Sequence, residues 1–111
     1  MDYDLVLNLK NAGFPQKYGE MFRWCTPQGS LAVVLDPEKY RDCAYMPTLS
    51  ELISACGEQF TSLELGGYKA LGQKLWLWTA TGEGGESKGA TPEIAVANLW
   101  LALNKPLTPT T

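Results

Sequence analysis

Apolar positions along this chain recur with spacings that predict three helices and about four strands. The first segment, residues 2–12, fits two patterns, because its apolar residues alternate as in a strand while Leu5 and Leu9 also share one helical face. The residues that follow favour the helix. Gly13 suits the left-handed position after a helix end, and Phe14 would then pack on Leu9.

A β-hairpin is predicted next. Residues 20–26 and 31–35 are rich in aromatic and β-branched side chains, and residues 27–30 between them have turn chemistry. A loop over 36–39 follows. Residues 43–45 are predicted as a short edge segment.

The second predicted helix begins with the pattern of a capping box. Thr48 can accept a hydrogen bond from the backbone N–H of Glu51, and the Glu51 side chain can accept one from the N–H of Thr48. An apolar stripe follows at helical spacing, and Gly57 ends it. The stripe comprises Leu49, Leu52, Ile53 and Cys56. Cys56 is therefore predicted to be a small core residue and not a reactive thiol.

Two strands are predicted after this helix, over 60–65 and 74–80, with Gly66 and Gly67 beginning the connection between them. In the later strand Leu75 and Leu77 point to one side, while Trp76 and Trp78 point to the other. Both faces are apolar, so we expect this strand to be covered on both sides or to lie at an interface. Packing explains the tryptophan pair best, with ligand stacking as the alternative.

The glycine-rich stretch 82–89 is predicted to be a flexible surface loop, with a mobile binding loop as the alternative. It lacks the phosphate-binding patterns of nucleotide-binding loops, because no glycine precedes Lys88 and Ser87 replaces the third glycine of a dinucleotide motif. Glu83 and Glu86 would repel phosphate.

The last predicted helix begins with Thr91 as N-cap and runs to about Asn104. It carries two apolar stripes, so it requires burial on nearly all sides unless one stripe contacts another chain. The first stripe is Val96, Leu99, Trp100 and Leu103, and the second is Ile94, Ala97 and Leu101. The second stripe, together with Trp76 and Trp78, is the predicted interaction surface.

These elements predict a single α+β domain over 1–105, in the order α-β-β-α-β-β-α. We expect a mainly antiparallel sheet of about four strands with three helices packed on it, arranged as an α-β-α sandwich. The polar, proline-rich residues 106–111 are predicted to be a disordered tail.

Composition narrows the possible chemistry. The net charge is −3 without a cluster of basic residues, which argues against nucleic-acid binding. The chain has no histidine, which excludes catalytic triads and histidine-ligated metals. Three widely spaced cysteines suit neither a disulfide framework nor a zinc site. We therefore expect no metal, no cofactor and no catalytic residue, and no apolar run is long enough to cross a membrane.

One group of carboxylates leaves an enzymatic alternative open. Asp36, Glu38 and Asp42 cluster in sequence, and a histidine-free enzyme would need such residues in a cleft. Lys39 and Arg41 alternate with them, however, and this pattern is typical of a solvated loop. The sequence therefore favours a protein that is not an enzyme.

Three stretches of the chain carry a resemblance: residues 46–57, residues 91–105 and residues 9–15. They resemble small bacteriophage and prophage proteins of unknown function, some of which are similar to a phage α-β-α sandwich domain family. The resemblance implies an origin in a mobile element and a location in the bacterial cytoplasm. It supplies no catalytic residues.

The leading functional expectation is a small phage-encoded accessory protein that acts by protein–protein interaction, inhibiting a host or defence component. One alternative is a binder of a small molecule such as a nucleotide signal. Its pocket would be walled by Trp76, Trp78 or Trp100 and gated by residues 82–89. The other alternative is a homo-oligomeric structural protein.

Overall fold

The computed structural model describes residues 1–17, 22–32 and 42–104, and these form an α+β structure with three helices and two antiparallel sheets. The chain divides into an N-terminal unit, Met1–Pro47, and a C-terminal unit, Thr48–Thr111. The described residues contain six strands in two three-stranded sheets, whereas the sequence predicted one sheet of about four strands.

Helix α1, Tyr3–Asn11, opens the N-terminal unit and confirms the helical interpretation of this segment. The Asp2 carboxylate caps it by accepting a hydrogen bond from Leu5 N at 2.9 Å. At the other end Gly13 has a φ of +96°. Its N–H donates to the Lys10 carbonyl, and the N–H of Phe14 donates to the Leu9 carbonyl. This is a Schellman ending, in which only glycine fits the left-handed position without strain.

Three two-residue strands form the first sheet: β1, Trp24–Cys25; β2, Leu31–Ala32; and β3, Ala44–Tyr45. Their order is β2-β1-β3, and all pairs are antiparallel. The hairpin and the edge segment are thus confirmed, but their strands are shorter than predicted, since 22–23, 26 and 43 are described and lie outside any strand. The remainder of the predicted hairpin strands, at 20–21 and 33–35, and the predicted loop at 36–39 lie outside the described residues.

The N-terminal unit is stabilised by a small buried core and by side-chain hydrogen bonds to the backbone. The rings of Trp24 and Tyr45 meet edge to face, with centroids 5.8 Å apart. The Arg23 Nε atom donates to the Met46 carbonyl at 2.9 Å, and the Gln16 side chain accepts from Tyr45 N at 2.8 Å. Because these bonds satisfy backbone groups at the ends of the short strands, they substitute for a longer ladder.

The C-terminal unit begins with helix α2, Leu49–Cys56, and contains the predicted capping box. The Thr48 hydroxyl accepts from Glu51 N at 3.2 Å, and the Glu51 carboxylate accepts from Thr48 N at 2.9 Å. Gly57 ends the helix with a φ of +62°. A single 3-10 turn, Gly57–Gln59, leads to the second sheet.

The second sheet contains strands β4, Phe60–Ala70; β5, Gln73–Gly82; and β6, Gly85–Gly89, in that order. Two predictions are wrong here. Gly66 and Gly67 lie inside β4 and begin no connection, because the chain turns instead at Leu71–Gly72. Residues 82–89 are not a loop but a tight turn and an edge strand, which needs few apolar residues because much of it is exposed.

Helix α3, Pro92–Leu103, packs against β5, β6 and α2. Thr91 caps it as predicted, accepting from Ile94 N at 3.2 Å. The helix approaches β6 so closely that a Cβ on Gly89 would lie 2.6 Å from Ala95 N. Its buried residues span both apolar stripes, in agreement with the requirement for burial on most sides: Ala95, Val96, Ala97, Leu99 and Trp100.

Candidate functional site

Strands β4 and β5 extend well beyond β6 and form a two-stranded arm. The last β5–β6 pair is Trp78 with Gly89, whereas the β4–β5 ladder continues to Ala70 and Gln73. Residues 66–77, called the arm below, therefore form a hairpin without a third strand in the described parts of the chain. Among the residues of β5, only Ala80, which lies outside the arm, is completely buried.

Large apolar side chains are exposed on both faces and at the tip of the arm. Trp76 is 56% exposed on one face, Leu75 is 45% exposed on the other, and Leu71 at the tip is fully exposed at 103%. Over the arm, the described residues do not cover β5 on both sides, which leaves the alternative expectation that this strand lies at an interface. Contiguous apolar residues in solvent mark binding surfaces in folded proteins.

The face that carries Trp76 combines an aromatic ring with positive charge. The Lys74 ammonium nitrogen lies 4.5 Å from the centroid of the Trp76 ring, within the range of a cation–π interaction. Lys69 is the cross-strand partner of Lys74, so two cations meet near the tip. Gly67 lies opposite Trp76 and leaves space there, since a Cβ on Gly67 would be 2.7 Å from Lys74 Cε. An aromatic ring and two cations suit a partner with acidic and apolar groups.

The turn at the tip holds a leucine in an unfavourable conformation. Leu71 has a φ of +53° and Gly72 a φ of +78°, the pattern of a type I′ hairpin turn. The first position of such a turn normally holds asparagine, aspartate or glycine, because other side chains meet steric strain there. A strained, fully exposed leucine is therefore unexplained by the fold alone, and such outliers point to a functional role.

The predicted interaction residues separate into three environments. Trp76 is exposed on the arm, and Trp78 lies two positions further on the same face and is half-buried. Ile94 and Leu101 on α3 are half-buried. Ala97 is fully buried and contributes no surface, which corrects its assignment to the interaction surface. The sequence did not reveal Leu71, because a Leu-Gly pair is not a recognised hairpin signal.

Among the described residues, one concavity of about 300 Å³ lies beside the β5–β6 turn, and none of the tryptophans of the predicted pocket lines it. Trp100 is buried. The concavity is acidic at Glu83 and Glu86 and apolar at Leu99 and Leu103. The stretch 82–89 forms part of its wall and is folded as a hairpin.

The three cysteines lie within the described residues and are all buried. Cys25, Cys43 and Cys56 are buried free thiols, and burial raises the pKa of each. Asp42 is exposed, and its backbone carbonyl accepts a hydrogen bond from the Tyr3 hydroxyl; its predicted neighbours at 36–41 lie outside the described residues. In the described part of the chain no three metal-ligating side chains come together. No helix found there is long and apolar enough to cross a membrane.

No protein-family model, no curated protein and no solved structure matches this chain.

Proposed function

We propose that this protein acts by binding another protein, and that the arm is its contact surface. One observation carries the proposal. The arm extends past the three-stranded sheet and exposes Leu71, Leu75 and Trp76 at its tip and on both faces. Folded proteins seldom keep so many large apolar residues in solvent on one hairpin unless a partner covers them.

The chemistry of the arm supports a protein partner over other ligands. Tryptophan is enriched at the energetic centres of protein interfaces, and the half-exposed Trp76 is available for such a role. Lys69 and Lys74 add positive charge to a chain whose net charge is −3. Two lysines are too few for the phosphate contacts of a nucleic-acid surface. We therefore propose an acidic, apolar patch on the partner.

The biological setting proposed for this activity rests on the resemblance to phage and prophage proteins. In that setting the chain is a small accessory protein that acts in the bacterial cytoplasm and inhibits a host or defence component. We also propose that its α+β elements belong to an α-β-α sandwich and that it has no catalytic activity and no cofactor.

A charge-neutral substitution on the arm tests this proposal. The tagged protein, gently purified from a bacterial lysate, is compared by native mass spectrometry with its Trp76→Ala and Leu31→Ala variants. Leu31 is the control, because it is exposed to a similar degree, 53%, but lies in the N-terminal unit. We expect Trp76→Ala to remove the bound protein and Leu31→Ala to retain it. A complex that survives Trp76→Ala unchanged contradicts the proposal.

Small-molecule binding is a second candidate, favoured by the concavity beside the β5–β6 turn. Its volume of about 300 Å³ is at the lower end for ligand pockets. Glu83 and Glu86 line it, and Lys88 pairs with Glu86 at 3.6 Å. The net acidic lining favours a small cationic molecule with an apolar group over a nucleotide signal. A thermal-shift panel of cationic and anionic metabolites tests this, with Glu86→Gln as the variant that should abolish any shift.

A further inference from the structure

We propose that the free edge of β5 pairs with the same edge of a second copy of this chain, so that Leu75 lies opposite the partner's Leu75 on a two-fold axis. This inference rests on the proposed role of the arm as an interaction surface and adds a second copy of the chain, which pairs through the backbone of β5 and not through the acidic, apolar contact proposed above.

Over the arm, one edge of β5 pairs with no strand of the described residues. On one side it pairs with β4, and on the other β6 ends at Gly89 opposite Trp78, so that no described strand pairs with Gln73–Leu77 there. The β4–β5 turn has two residues, and Ala70 and Gln73 close it. In such hairpins alternate pairs are hydrogen-bonded across the ladder. The backbone N–H and C=O groups of Lys74 and Trp76 therefore point to the free edge.

Only one symmetric register satisfies this edge. In an antiparallel pair related by a two-fold axis, residues whose N–H and C=O groups point to the free edge must lie opposite one another. The axis therefore falls at residue 74, 75 or 76. An axis at Lys74 sets two lysines directly opposite, which is unfavourable. An axis at Trp76 sets Lys74 opposite the partner's Trp78, but the outward groups of Trp78 already pair with Gly89. An axis at Leu75 avoids both conflicts.

The side chains on this axis are complementary. Lys74 lies opposite the partner's Trp76, so each lysine can contact an indole ring of the other copy, as it does within its own chain at 4.5 Å. On the opposite face Leu75 contacts the partner's Leu75. Each of these side chains, 45% exposed in the single chain, becomes buried. The register thus pairs cation with ring and leucine with leucine.

Pairing also explains how a long hairpin arm can persist. Two strands alone are marginally stable in water, and three or more are needed for independent stability. Joining two arms edge to edge makes a four-stranded sheet in the order β4-β5-β5-β4. The outer edge of β4 is the poorer candidate, because it contains Gly66 and Gly67 and glycine is disfavoured in strands.

A charge swap at the axis provides the decisive experiment, because only an axial residue faces its own copy. Analytical ultracentrifugation is run on the wild type, Leu75→Lys, Leu75→Glu and an equimolar mixture of the two variants. We expect the wild type to dimerise with a Kd between about 1 and 100 µM. Each variant alone should dimerise at least about tenfold more weakly, and the mixture should recover the dimer as a heterodimer. The same changes at Leu31 serve as the control and should leave the assembly state unchanged.

A backbone variant keeps the test independent of side-chain charge. Lys74→Pro removes the outward N–H that the inference assigns to the dimer, whereas Lys74→Ala removes the same side chain and keeps that N–H. We expect the proline variant to lose the dimer and the alanine variant to retain most of it, with circular dichroism confirming that both fold. Equal dimerisation of these two variants overturns the edge pairing, whether or not the Leu75 variants fold.

The outcomes separate this inference from the proposed function. A monomeric wild type, or a mixture of Leu75 variants that stays monomeric, overturns the dimer. If Trp76→Ala still removes a bound protein in that case, the arm remains an interaction surface for a different partner. If the arm variants alter neither assembly nor partner binding, both proposals fail together.

Discussion

The ammonium nitrogen of Lys74 lies 4.5 Å from the centre of the Trp76 ring, and Gly67 on the neighbouring strand leaves the space that this arrangement needs. A Cβ at Gly67 would lie only 2.7 Å from Lys74 Cε and 3.5 Å from the Trp76 ring. Cation and ring are therefore held together on one face of an exposed hairpin. The resulting surface combines apolar area with positive charge.

The four tryptophans should differ sharply in their access to solvent. Trp24 and Trp100 are buried at 1% and 5% exposure, Trp78 is half-buried, and Trp76 is 56% exposed. We expect acrylamide to quench mainly Trp76, so Trp76→Phe should remove most of the quenchable fluorescence. Steady-state quenching with Trp78→Phe as the control checks this. If the quenchable fraction in Trp76→Phe equals that of the wild type, the exposure assigned to Trp76 is wrong.

Replacing the strained leucine at the tip should stabilise the protein. Leu71 has a φ of +53°, which costs most side chains about 1 kcal/mol or more, while asparagine tolerates it. We expect Leu71→Asn to raise the free energy of unfolding by about 0.5–1 kcal/mol. Urea denaturation measures it. Gly72→Ala provides the opposite control, because alanine at a φ of +78° should destabilise the turn.

Adding one methyl group at Gly89 should be severely destabilising. A Cβ there would lie 2.6 Å from Ala95 N and 2.7 Å from Ile94 Cγ2, and the backbone atom cannot move without shifting α3. We expect Gly89→Ala to lower the free energy of unfolding by about 2 kcal/mol or more. Thermal denaturation compares it with Glu86→Ala, an exposed change in the same strand. A Gly89→Ala protein as stable as that control would contradict the close packing of β6 on α3.

The buried thiols predict a loss of stability in alkaline solution. Burial raises the pKa of Cys25, Cys43 and Cys56 above the ordinary value of 9.0. As the pH rises through 9.0 the thiols of the unfolded chain ionise first, which favours unfolding. The stability that the buried neutral thiols contribute is therefore fully present below pH 9.0 and is lost as the pH rises above it. We expect the urea concentration at the unfolding midpoint to decrease between pH 8 and pH 10. In the Cys56→Ala variant this decrease should be less steep. An equal slope in both proteins would show that Cys56 does not contribute.

Helix ends could be predicted from the sequence because their signals are local. The Thr48–Glu51 capping box and the Gly13 ending each depend on residues within one turn of the helix. Strand limits could not be predicted in the same way. Gly66 and Gly67 have turn chemistry, but pairing with β5 holds them extended, and tertiary pairing overrides local preference.

The candidate site was predicted in part. Trp76 stands out because a tryptophan alternates with leucines on a strand, and the structure exposes it. Ala97 was assigned to a surface because apolar residues surround α3 on nearly all sides, so the pattern does not distinguish an outer stripe from a buried one. Leu71 gives no signal, because its importance arises from a backbone conformation that appears only once the hairpin forms.

The order of strands in the C-terminal unit has a consequence for how the chain folds. Strands β4, β5 and β6 are neighbours in sequence and in the sheet, and α3 follows at once and packs on the last two. Contacts between near neighbours close short loops, and proteins rich in such contacts fold fast. This unit can therefore assemble by pairing each strand with the next one along the chain. Both of its hairpin turns have two residues, Leu71–Gly72 and Glu83–Gly84, so substitutions in either turn should alter the refolding rate.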